Sequence, residues 1–454
     1  MKKIGKRALC AYILLAVFAA GLIFFYFRFC VSGGSWALSP YNRHIYSEGN
    51  LKNTGTVTDR NGEVLAQTQN GKREYYNEKA VRKSLLHIIG DNTGNFGGSV
   101  QTAYADTLAG YSLFNGIETL KEWNKVPNLQ LTIDLGLQKA AAQAFGSKKG
   151  AVICYNYKTG EILCSLSAPN YDPANKPDDL SGKKYEGIYV NRAFSGLYAP
   201  GSTFKIITAV CALENIEGIE GEIFECKGKY QMPGGGIITC TGKHGKVDLK
   251  TGFSVSCNVV FAQIAARLGA EKLNQTAEKF GFNSIHTIEK LTYSGGYYQT
   301  TYKDQTDLAW SGIGQSTVLA SPINMMLCSA TVAGGGKVKA PALIKNVYSP
   351  FGIPTKINVG LPKSVITPEI SSKLTEMMKM AAEHTFGKSV TDKYSLRCKT
   401  GTAEVEDGSA HAWLTAFCED ESHPYAFCII VEHGGNAASS TSGIATALLR
   451  QLYK

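Results

Sequence analysis

The residues with the clearest chemical potential lie between positions 198 and 210, where a serine and a lysine stand three positions apart. Pro200 and Gly201 end whatever precedes them, and the apolar, alanine-rich run that follows predicts a buried helix. Ser202 is therefore expected near the helix N-terminus, where free backbone N–H groups favour developing negative charge. Lys205 falls on the same helix face. A lysine whose pKa is lowered by burial or by a neighbouring cation can take the serine proton, so the pair predicts a nucleophile and its base.

A Ser-x-x-Lys pair alone is weak evidence, because a serine before a helix is usually only a cap. Two further motifs follow, Ser-Cys-Asn at 256–258 and Lys-Thr-Gly-Thr at 399–402. Ser-x-x-Lys, Ser-Asp-Asn and Lys-Thr-Gly in this order are the signature of penicillin-binding proteins and class A β-lactamases. Here cysteine replaces the central residue of the second motif. The chain resembles a penicillin-binding protein, and more closely a class B, monofunctional peptidoglycan D,D-transpeptidase.

The resemblance implies a role for each motif residue. Ser202 attacks the substrate carbonyl, Lys205 takes its proton, and Ser256 relays a proton to or from the reacting amine. Asn258 holds the substrate amide. Lys399 completes the catalytic set, and the strand that carries it lines the substrate through Thr400, Gly401 and Thr402. The backbone N–H groups of Ser202 and Thr402 would form the oxyanion hole. No metal and no organic cofactor is implied.

The implied reaction is acyl transfer between peptidoglycan stem peptides. Ser202 attacks the carbonyl between the last two D-alanines, the terminal D-alanine leaves, and an amine of a neighbouring stem takes the acyl group. β-Lactams are expected to acylate the same serine. The alternatives are a β-lactamase or D,D-carboxypeptidase on the same fold, and a non-catalytic β-lactam sensor or wall-assembly scaffold.

Two observations bear on these alternatives. The three intact motifs argue against a site that has lost its activity. A class A β-lactamase activates water with an extra glutamate. Glu271, Glu278 and Glu289 lie in the corresponding region without a recognisable motif, and each is expected to be a solvated charge.

Residues 8–27 carry no charge and are about long enough to cross a bilayer as a helix. Basic residues before this run (Lys2, Lys3, Lys6 and Arg7) predict a cytoplasmic N-terminus and an extracytoplasmic body. The run is longer than the apolar core of a cleaved signal peptide, so we expect an uncleaved anchor in a bacterial cell membrane. The formal charge is +10, but the sequence contains no basic block interleaved with aromatic residues. The charge therefore gives no indication of nucleic-acid binding.

The chain is expected to divide into a tail and transmembrane anchor (1–30), a β-rich, dimerisation-like pedestal (31–130) and an α+β transpeptidase domain (131–454) of the penicillin-binding/serine β-lactamase type. Asp-Arg-Asn-Gly at 59–62 predicts a hairpin and resembles the start of the class B pedestal. The pedestal is too short for a glycosyltransferase domain. The resemblance therefore implies a partner, a polytopic glycosyltransferase of the shape, elongation, division and sporulation family, contacted through residues 8–27 and the pedestal.

Twelve cysteines are many for an exported chain. Cys226 and Cys240 bracket a glycine-rich hairpin, and in an oxidising location they predict a disulfide. The histidines are scattered without the spacing of a metal site, so no metal site is expected; they include His244, His286, His384, His411, His423 and His433.

Local patterns predict the elements around the motifs. Residues 151–164 indicate a hairpin, residues 397–404 a strand, and residues 412–431 a second hairpin. A helical pattern from 248 to 268 contains the Ser-Cys-Asn motif, and a loop at 439–442 precedes a closing helix at 445–453.

Overall fold

The computed structural model describes residues 2–39, 41–42, 46–47, 50–51, 54–91, 93–113, 116–117, 126–233, 235–356, 360–406 and 408–454. Parts of the predicted pedestal, such as residues 118–125, and Gly234 of the glycine-rich hairpin lie outside these ranges.

The described helices are α1 (Lys2–Ala37), α2 (Lys79–Ser84), α3 (Leu86–Ile89), α4 (Val100–Ala103), α5 (Ala105–Leu108), α6 (Leu135–Phe145), α7 (Arg192–Ser195), α8 (Lys205–Asn215), α9 (Leu249–Ser254), α10 (Asn258–Lys279), α11 (Gln305–Ser311), α12 (Pro322–Ala333), α13 (Pro368–Phe386), α14 (Lys388–Lys393) and α15 (Ala437–Leu452). Short 3-10 helices occur at Lys183–Tyr185, Gly201–Phe204 and Ile219–Gly221.

The described strands are β1 (Tyr46–Ser47), β2 (Asn50–Leu51), β3 (Val57–Thr58), β4 (Val64–Gln69), β5 (Lys72–Tyr75), β6 (Tyr111–Ser112), β7 (Gly116–Ile117), β8 (Asn128–Leu131), β9 (Gly150–Asn156), β10 (Ile162–Ala168), β11 (Phe224–Cys226), β12 (Lys229–Gln231), β13 (Ile237–Thr239), β14 (Gly245–Val247), β15 (Ile285–Ile288), β16 (Leu291–Ser294), β17 (Lys337–Val338), β18 (Ile344–Tyr348), β19 (Pro354–Lys356), β20 (Lys363–Ser364), β21 (Leu396–Ala403), β22 (His411–Cys418) and β23 (Tyr425–Val431).

A five-stranded antiparallel sheet, in the order β10-β9-β23-β22-β21, forms the centre of the catalytic region. Side chains alternate between its faces, so neighbouring residues such as Val152 and Ile153 enter different hydrophobic cores. The core around Val152 includes residues of α6 and α15, and the core around Ile153 includes residues of α8, α10 and α12. The sheet therefore lies between two helical layers, which confirms the α+β prediction and both predicted hairpins.

Helix α8 runs through the interior of this arrangement. All eight residues from Lys205 to Ala212 are buried, which agrees with the apolar pattern that predicted a core helix. The first residue of α8 is a lysine, so the fold buries an amine where the helix begins. This placement is the starting point of the site described below.

A six-stranded sheet, in the order β19-β18-β8-β3-β4-β5, combines strands from the predicted pedestal with β18 and β19. β3 and β8 pair in parallel, and β8 pairs with β18 antiparallel. The boundary predicted at residue 130 therefore passes through one continuous sheet. The division into three parts stays a prediction.

Helix α1 is apolar, and its most apolar stretch is exposed. Its segment Gly5–Ala37 has a mean hydropathy of 2.6 in its most apolar window, and none of that window is buried. It is long and apolar enough to cross a membrane, which agrees with the predicted anchor.

One helix begins earlier than predicted. Residues 439–442 were expected to form a loop, but they belong to the first turns of α15. Asn436 caps this helix, its side chain accepting a hydrogen bond from the backbone N–H of Ser439 at 3.0 Å. The buried Thr441 adds tertiary packing that the polar sequence alone does not indicate.

Asp59 joins the predicted pedestal hairpin to the catalytic region. Its buried carboxylate accepts hydrogen bonds from the backbone N–H groups of Asn61 at 2.7 Å, Glu63 at 2.9 Å and Leu135 at 3.3 Å. The last of these lies at the start of α6. One side chain therefore closes the hairpin turn and connects it to the next unit of the fold.

We expect Asp59→Ala to lower the free energy of unfolding by about 2 kcal/mol or more, because it leaves buried N–H groups without an acceptor. Urea unfolding of the detergent-solubilised chain, followed by tryptophan fluorescence, measures the change. Asp179→Ala is the matched control, since the exposed Asp179 carboxylate accepts one local backbone N–H, and we expect a change under about 0.5 kcal/mol. Equal unfolding midpoints for the two variants would contradict this role.

Candidate active site

The turn that carries Ser202 is enclosed by two other backbone segments. Ser202 lies in the 3-10 helix Gly201–Phe204, which leads directly into α8. Gly201 has φ +52, and a Cβ there would meet the carbonyl oxygen of Thr402 at 2.7 Å. The N–H of Gly201 donates to the carbonyl oxygen of Gly314 at 2.8 Å. The close approach of these segments requires glycine and fixes the serine next to the Lys-Thr-Gly strand.

Residues that the sequence did not single out hold the chain just before this turn. The indole N–H of Trp413 donates to the carbonyl oxygen of Ala199 at 3.0 Å. The Tyr198 hydroxyl donates to a carboxylate oxygen of Glu432 at 2.7 Å, and Arg192 pairs with the same carboxylate at 2.6 Å. These partners lie far apart in sequence and outside the motifs, so only the fold reveals them.

Ser256 lies at a break between two helices. A continuous helix was predicted from 248 to 268, but α9 ends before Ser256 and α10 begins at Asn258. Ser256 has φ +59, a left-handed conformation that costs roughly 1–3 kcal/mol for a residue other than glycine. The N–H of Ser256 donates to the carbonyl oxygen of Phe253 at 3.1 Å, and that of Cys257 to Gly252 at 2.7 Å. These bonds stabilise the non-helical segment between α9 and α10, so Ser256 does not lie in either helix.

Two lysine amines meet at the Ser256 hydroxyl. Nζ of Lys205 donates to the Ser256 carbonyl oxygen at 2.7 Å, to Oγ of Ser256 at 3.2 Å and to Oδ1 of Asn258 at 2.9 Å. Nζ of Lys399 donates to the same Oγ at 3.0 Å and to the carbonyl oxygen of Thr400 at 2.9 Å. Residues from three distant motifs therefore form one hydrogen-bonded group.

Burial lowers the pKa of both lysines. The Lys205 side chain is fully buried, and desolvation, followed by repulsion from Lys399, lowers its pKa well below the usual value. Burial also lowers the pKa of Lys399, to about 8. The rings of Phe261 and Phe253 lie 5.4 Å and 5.7 Å from the two Nζ atoms. This environment favours a neutral amine in a site where proton transfer would take place.

The half-buried Ser202 hydroxyl has no hydrogen-bond partner in the described part of the chain. Lys205 lies at the start of the same helix, but its amine is directed toward Ser256 and Asn258. The structure therefore places the predicted nucleophile and base on adjacent turns without a direct hydrogen bond. Such contacts often form only when substrate binds.

The Lys-Thr-Gly strand forms an edge of the central sheet. β21 pairs with β22 on one side, and its other edge pairs with no strand among the described residues. Along it, Thr400 is half-buried, Gly401 is buried, and Thr402 is exposed. A Cβ at Gly401 would meet the carbonyl oxygen of Pro200 at 2.8 Å, so this strand also touches the nucleophile turn. An open edge beside a nucleophile can pair with an extended peptide.

The predicted Cys226–Cys240 disulfide is absent, and both thiols are free. The two sulfurs approach Nδ1 of His244 instead, at 3.6 Å and 3.5 Å. Sγ of Cys240 also accepts the backbone N–H of Asn258 at 3.2 Å. The prediction considered only the hairpin that the two cysteines bracket, whereas the fold brings an imidazole and the motif backbone to the same point.

Comparison with known proteins places the chain in a family. The family model described as the penicillin binding protein transpeptidase domain matches residues 150–454. Peptidoglycan D,D-transpeptidase PbpA of Mycobacterium tuberculosis is 30% identical over 347 residues, covering 70% of this chain and 70% of the relative. Peptidoglycan D,D-transpeptidase MrdA of Haemophilus influenzae is 26% identical over 483 residues, covering 93% of this chain and 71% of the relative.

A solved structure gives the same result at the level of the fold. Penicillin-binding protein A from M. tuberculosis, in its ceftriaxone acyl-enzyme complex, superposes with a TM-score of 0.78 at 25% sequence identity. The match covers 89% of this chain and 99% of that chain.

We expect Lys399→Gln to move the acid limb of the acylation–pH profile to higher pH. A protonated Lys205 cannot accept the Ser202 proton, so acylation by a β-lactam falls on acidification. The Lys399 charge lowers the pKa of Lys205, and its removal raises that pKa. The rate near pH 7 should also fall by about 100-fold or more.

Acylation rates of the two proteins with a labelled penicillin, measured between about pH 5 and pH 9, test this expectation. Lys388→Gln is the control, because Lys388 is exposed at the start of α14 and should leave the profile unchanged. An unshifted acid limb in Lys399→Gln would refute the electrostatic coupling between the two lysines.

Proposed function

The chain belongs to the penicillin-binding protein transpeptidase family, and on that premise we propose that Ser202 is the residue acylated in its reaction. The protein is a serine-type peptidoglycan D,D-transpeptidase that cross-links stem peptides and is a target of penicillin. One observation supports the residue roles most strongly. The Ser256 hydroxyl lies within hydrogen-bond distance of both Lys205 and Lys399, beside the turn that carries Ser202.

In the acylation step, neutral Lys205 takes the Ser202 proton as Oγ attacks the carbonyl between the last two D-alanines. The backbone N–H groups of Ser202 and Thr402 stabilise the tetrahedral oxyanion. When the C–N bond breaks, Ser256 passes a proton to the departing amine and regains one from a lysine. The terminal D-alanine leaves with that proton, and an ester on Ser202 remains.

Substrate binding would itself activate the base. The three acceptors around Nζ of Lys205 match the three hydrogens of an ammonium group. An amide N–H of the stem peptide that donates to Oδ1 of Asn258 would share this acceptor with Lys205 and weaken the existing bond. A weaker bond destabilises the ammonium and lowers the pKa of Lys205 further. The freed amine is then available to the Ser202 hydroxyl one turn away.

The second half-reaction runs through the same groups in reverse. An amine from a neighbouring stem approaches the ester, gives a proton to Ser256, and forms the cross-link as Ser202 leaves. The open edge of β21 and the side chains of Thr400 and Thr402 would hold the peptide as an added strand, with the hydroxyls near its carboxylate. No step requires an atom that these residues and the two stems do not supply.

Two glutamates of α10 and one beyond it accept hydrogen bonds from residues outside this group, which disfavours the β-lactamase alternative. Glu271 accepts from Gln275 at 2.8 Å, and Glu278 accepts from Asn274 at 3.0 Å. Glu289 was expected to be solvated, but it is half-buried, accepts from the N–H of Leu343 at 3.1 Å, and has its pKa raised to about 7 by burial.

We expect wild-type protein to gain the mass of one penicillin and to keep it for far longer than a catalytic cycle, because the retained ring fragment blocks the acceptor amine. Ser202→Ala should gain no mass, a loss of labelling of about 1000-fold or more. Intact-mass spectrometry of the full chain over time measures both. Ser195→Ala provides a control serine on α7. Label on Ser202→Ala would refute the nucleophile, and steady penicillin hydrolysis by wild type would move the assignment to β-lactamase.

Helix α1 supports a membrane anchor, and we assign its orientation from the basic residues at its N-terminus. These residues favour a tail in the cytoplasm and a catalytic domain outside the cell membrane. Cross-linking outside the cell requires glycan strands polymerised beside the site. We propose that a polytopic glycosyltransferase of the shape, elongation, division and sporulation family supplies them, contacting residues 8–27 and the pedestal at 31–130.

A chimera with an unrelated anchor and pedestal should lose cellular function, because its site is no longer positioned beside the polymerase. The measurement is complementation of a strain that depends on this protein. Labelling of the membrane-bound chimera with penicillin is the control, and only a chimera that is labelled like the parent chain tests the proposal, because the pedestal shares a sheet with the catalytic region. A correctly labelled chimera that complements fully would contradict the partner proposal.

A further inference from the structure

Four side chains that the transpeptidase reaction does not use converge beside the Ser-Cys-Asn motif. Their ligand atoms, three sulfurs and one imidazole nitrogen, all lie within 4.8 Å of one another. We call this group the thiol–histidine cluster; its members are Cys226, Cys240, His244 and Cys257. It brings three of the twelve cysteines and one imidazole nitrogen to one point, although no spacing in the sequence indicates a metal.

Three of the six distances between the ligand atoms match the edges of a metal-centred tetrahedron, and the other three are within 4.8 Å. Sγ of Cys240 lies 3.8 Å from Sγ of Cys257 and 3.5 Å from Nδ1 of His244, and Sγ of Cys226 lies 3.6 Å from the same nitrogen. Zinc–sulfur bonds of about 2.3 Å and zinc–nitrogen bonds of about 2.0 Å give tetrahedral edges of about 3.8 Å between sulfurs and about 3.6 Å between sulfur and nitrogen. A disulfide would require about 2.0 Å between two sulfurs.

We propose that the thiol–histidine cluster binds one zinc ion as a structural site. Three thiolates and one imidazole form a closed four-ligand set of the kind that structural zinc takes, with no position left for a reacting water. Thiolate ligands also select against magnesium and calcium, which prefer oxygen. Cys226 and Cys257 are buried, while Cys240 and His244 are half-buried, so the ion would be covered by its ligands.

The ligands of the ion would come from three short segments of the catalytic region. Cys226 ends β11, which pairs with β14, and Cys240 follows β13, which pairs with β12. Cys257 is the central residue of the Ser-Cys-Asn motif and precedes α10. Zinc would therefore fasten two small β-ribbons to the motif backbone. These ribbons contain few residues each, so a metal supplies the rigidity that their short ladders lack.

The cluster reaches the catalytic lysine through Asn258. Sγ of Cys240 accepts the Asn258 backbone N–H at 3.2 Å, and the side-chain amide of Asn258 donates to the carbonyl oxygen of Thr239 at 3.0 Å. Oδ1 of the same amide accepts from Lys205 at 2.9 Å. Ser256, in its left-handed conformation, directly precedes the ligand Cys257. Zinc thus positions the motif without touching substrate.

Metal analysis of the full chain tests the proposal independently of any activity. The protein is purified in detergent without a metal-affinity tag, and we expect about one zinc per chain by inductively coupled plasma mass spectrometry. X-ray absorption at the zinc edge should show three sulfur ligands at about 2.3 Å and one nitrogen at about 2.0 Å. Peptide mapping should find no disulfide among the three cysteines.

Substitution of a ligand and removal of the metal provide a second test of the zinc proposal. Cys226→Ser should retain zinc at least about tenfold more weakly, whereas Cys211→Ser, which alters a buried cysteine in α8, should retain it as wild type does. Stripping zinc from wild type with a chelator should lower the rate of penicillin acylation about tenfold, and added zinc should restore it.

Either of two results would overturn the proposal. Wild-type protein that contains no bound metal but three reactive thiols would exclude the site, as would a Cys226–Cys240 disulfide in protein taken from the exported side. If Cys226→Ser does not fold, the metal content and the X-ray absorption spectrum of the wild-type protein still test the proposal. Loss of zinc without loss of acylation would limit the role to stability and reject the positioning of the motif.

Discussion

Two lysine amines buried around one serine hydroxyl form the interaction on which the rest of the site depends. Removing an ammonium group from water costs several kcal/mol; this cost lowers the pKa of both lysines, and well-placed acceptors offset part of it. Lys205 has three such acceptors and Lys399 has two. Supplying them requires three elements to converge: the first turn of α8, the break between α9 and α10, and the edge strand β21. The central sheet and its two helical layers position these elements, and small residues let their backbones approach closely.

The strained Ser256 follows from the same requirement. A serine within a continuous helix presents only its hydroxyl, because the helix occupies its carbonyl oxygen. The left-handed conformation directs both Oγ and the carbonyl oxygen at Lys205. The packing of Gly252 against Val260, where a Cβ would lie 3.1 Å from a methyl group, holds α9 and α10 close enough to keep the break. The strained conformation of Ser256 therefore provides two of the three acceptors around Lys205.

Sequence reasoning predicted the parts of the fold that rest on local pattern. Residue type and spacing predicted the apolar strands of the central sheet and the buried helix after Ser202. They also identified the three motifs and their order. The break at Ser256 was not, because Ser-Cys-Asn contains no strong helix breaker and the positive φ is imposed by tertiary contacts. The partial burial of Glu289 and the partners of Glu432 could not be predicted either, because each depends on a segment far away in sequence.

The cysteines show why proximity in sequence was a poor guide here. Cys226 and Cys240 suggested a pair, but the fold adds Cys257, and three neighbouring thiols cannot all be joined by disulfides within one chain. A disulfide between Cys240 and Cys257 would draw their sulfurs together by more than 1 Å from their present separation of 3.8 Å. If Cys240 took part, its sulfur would also move relative to the Asn258 N–H that it now accepts. A metal uses all three thiolates and His244 at the observed spacing, so the arrangement of the motif backbone and the chemistry of the cluster favour the same ligand set.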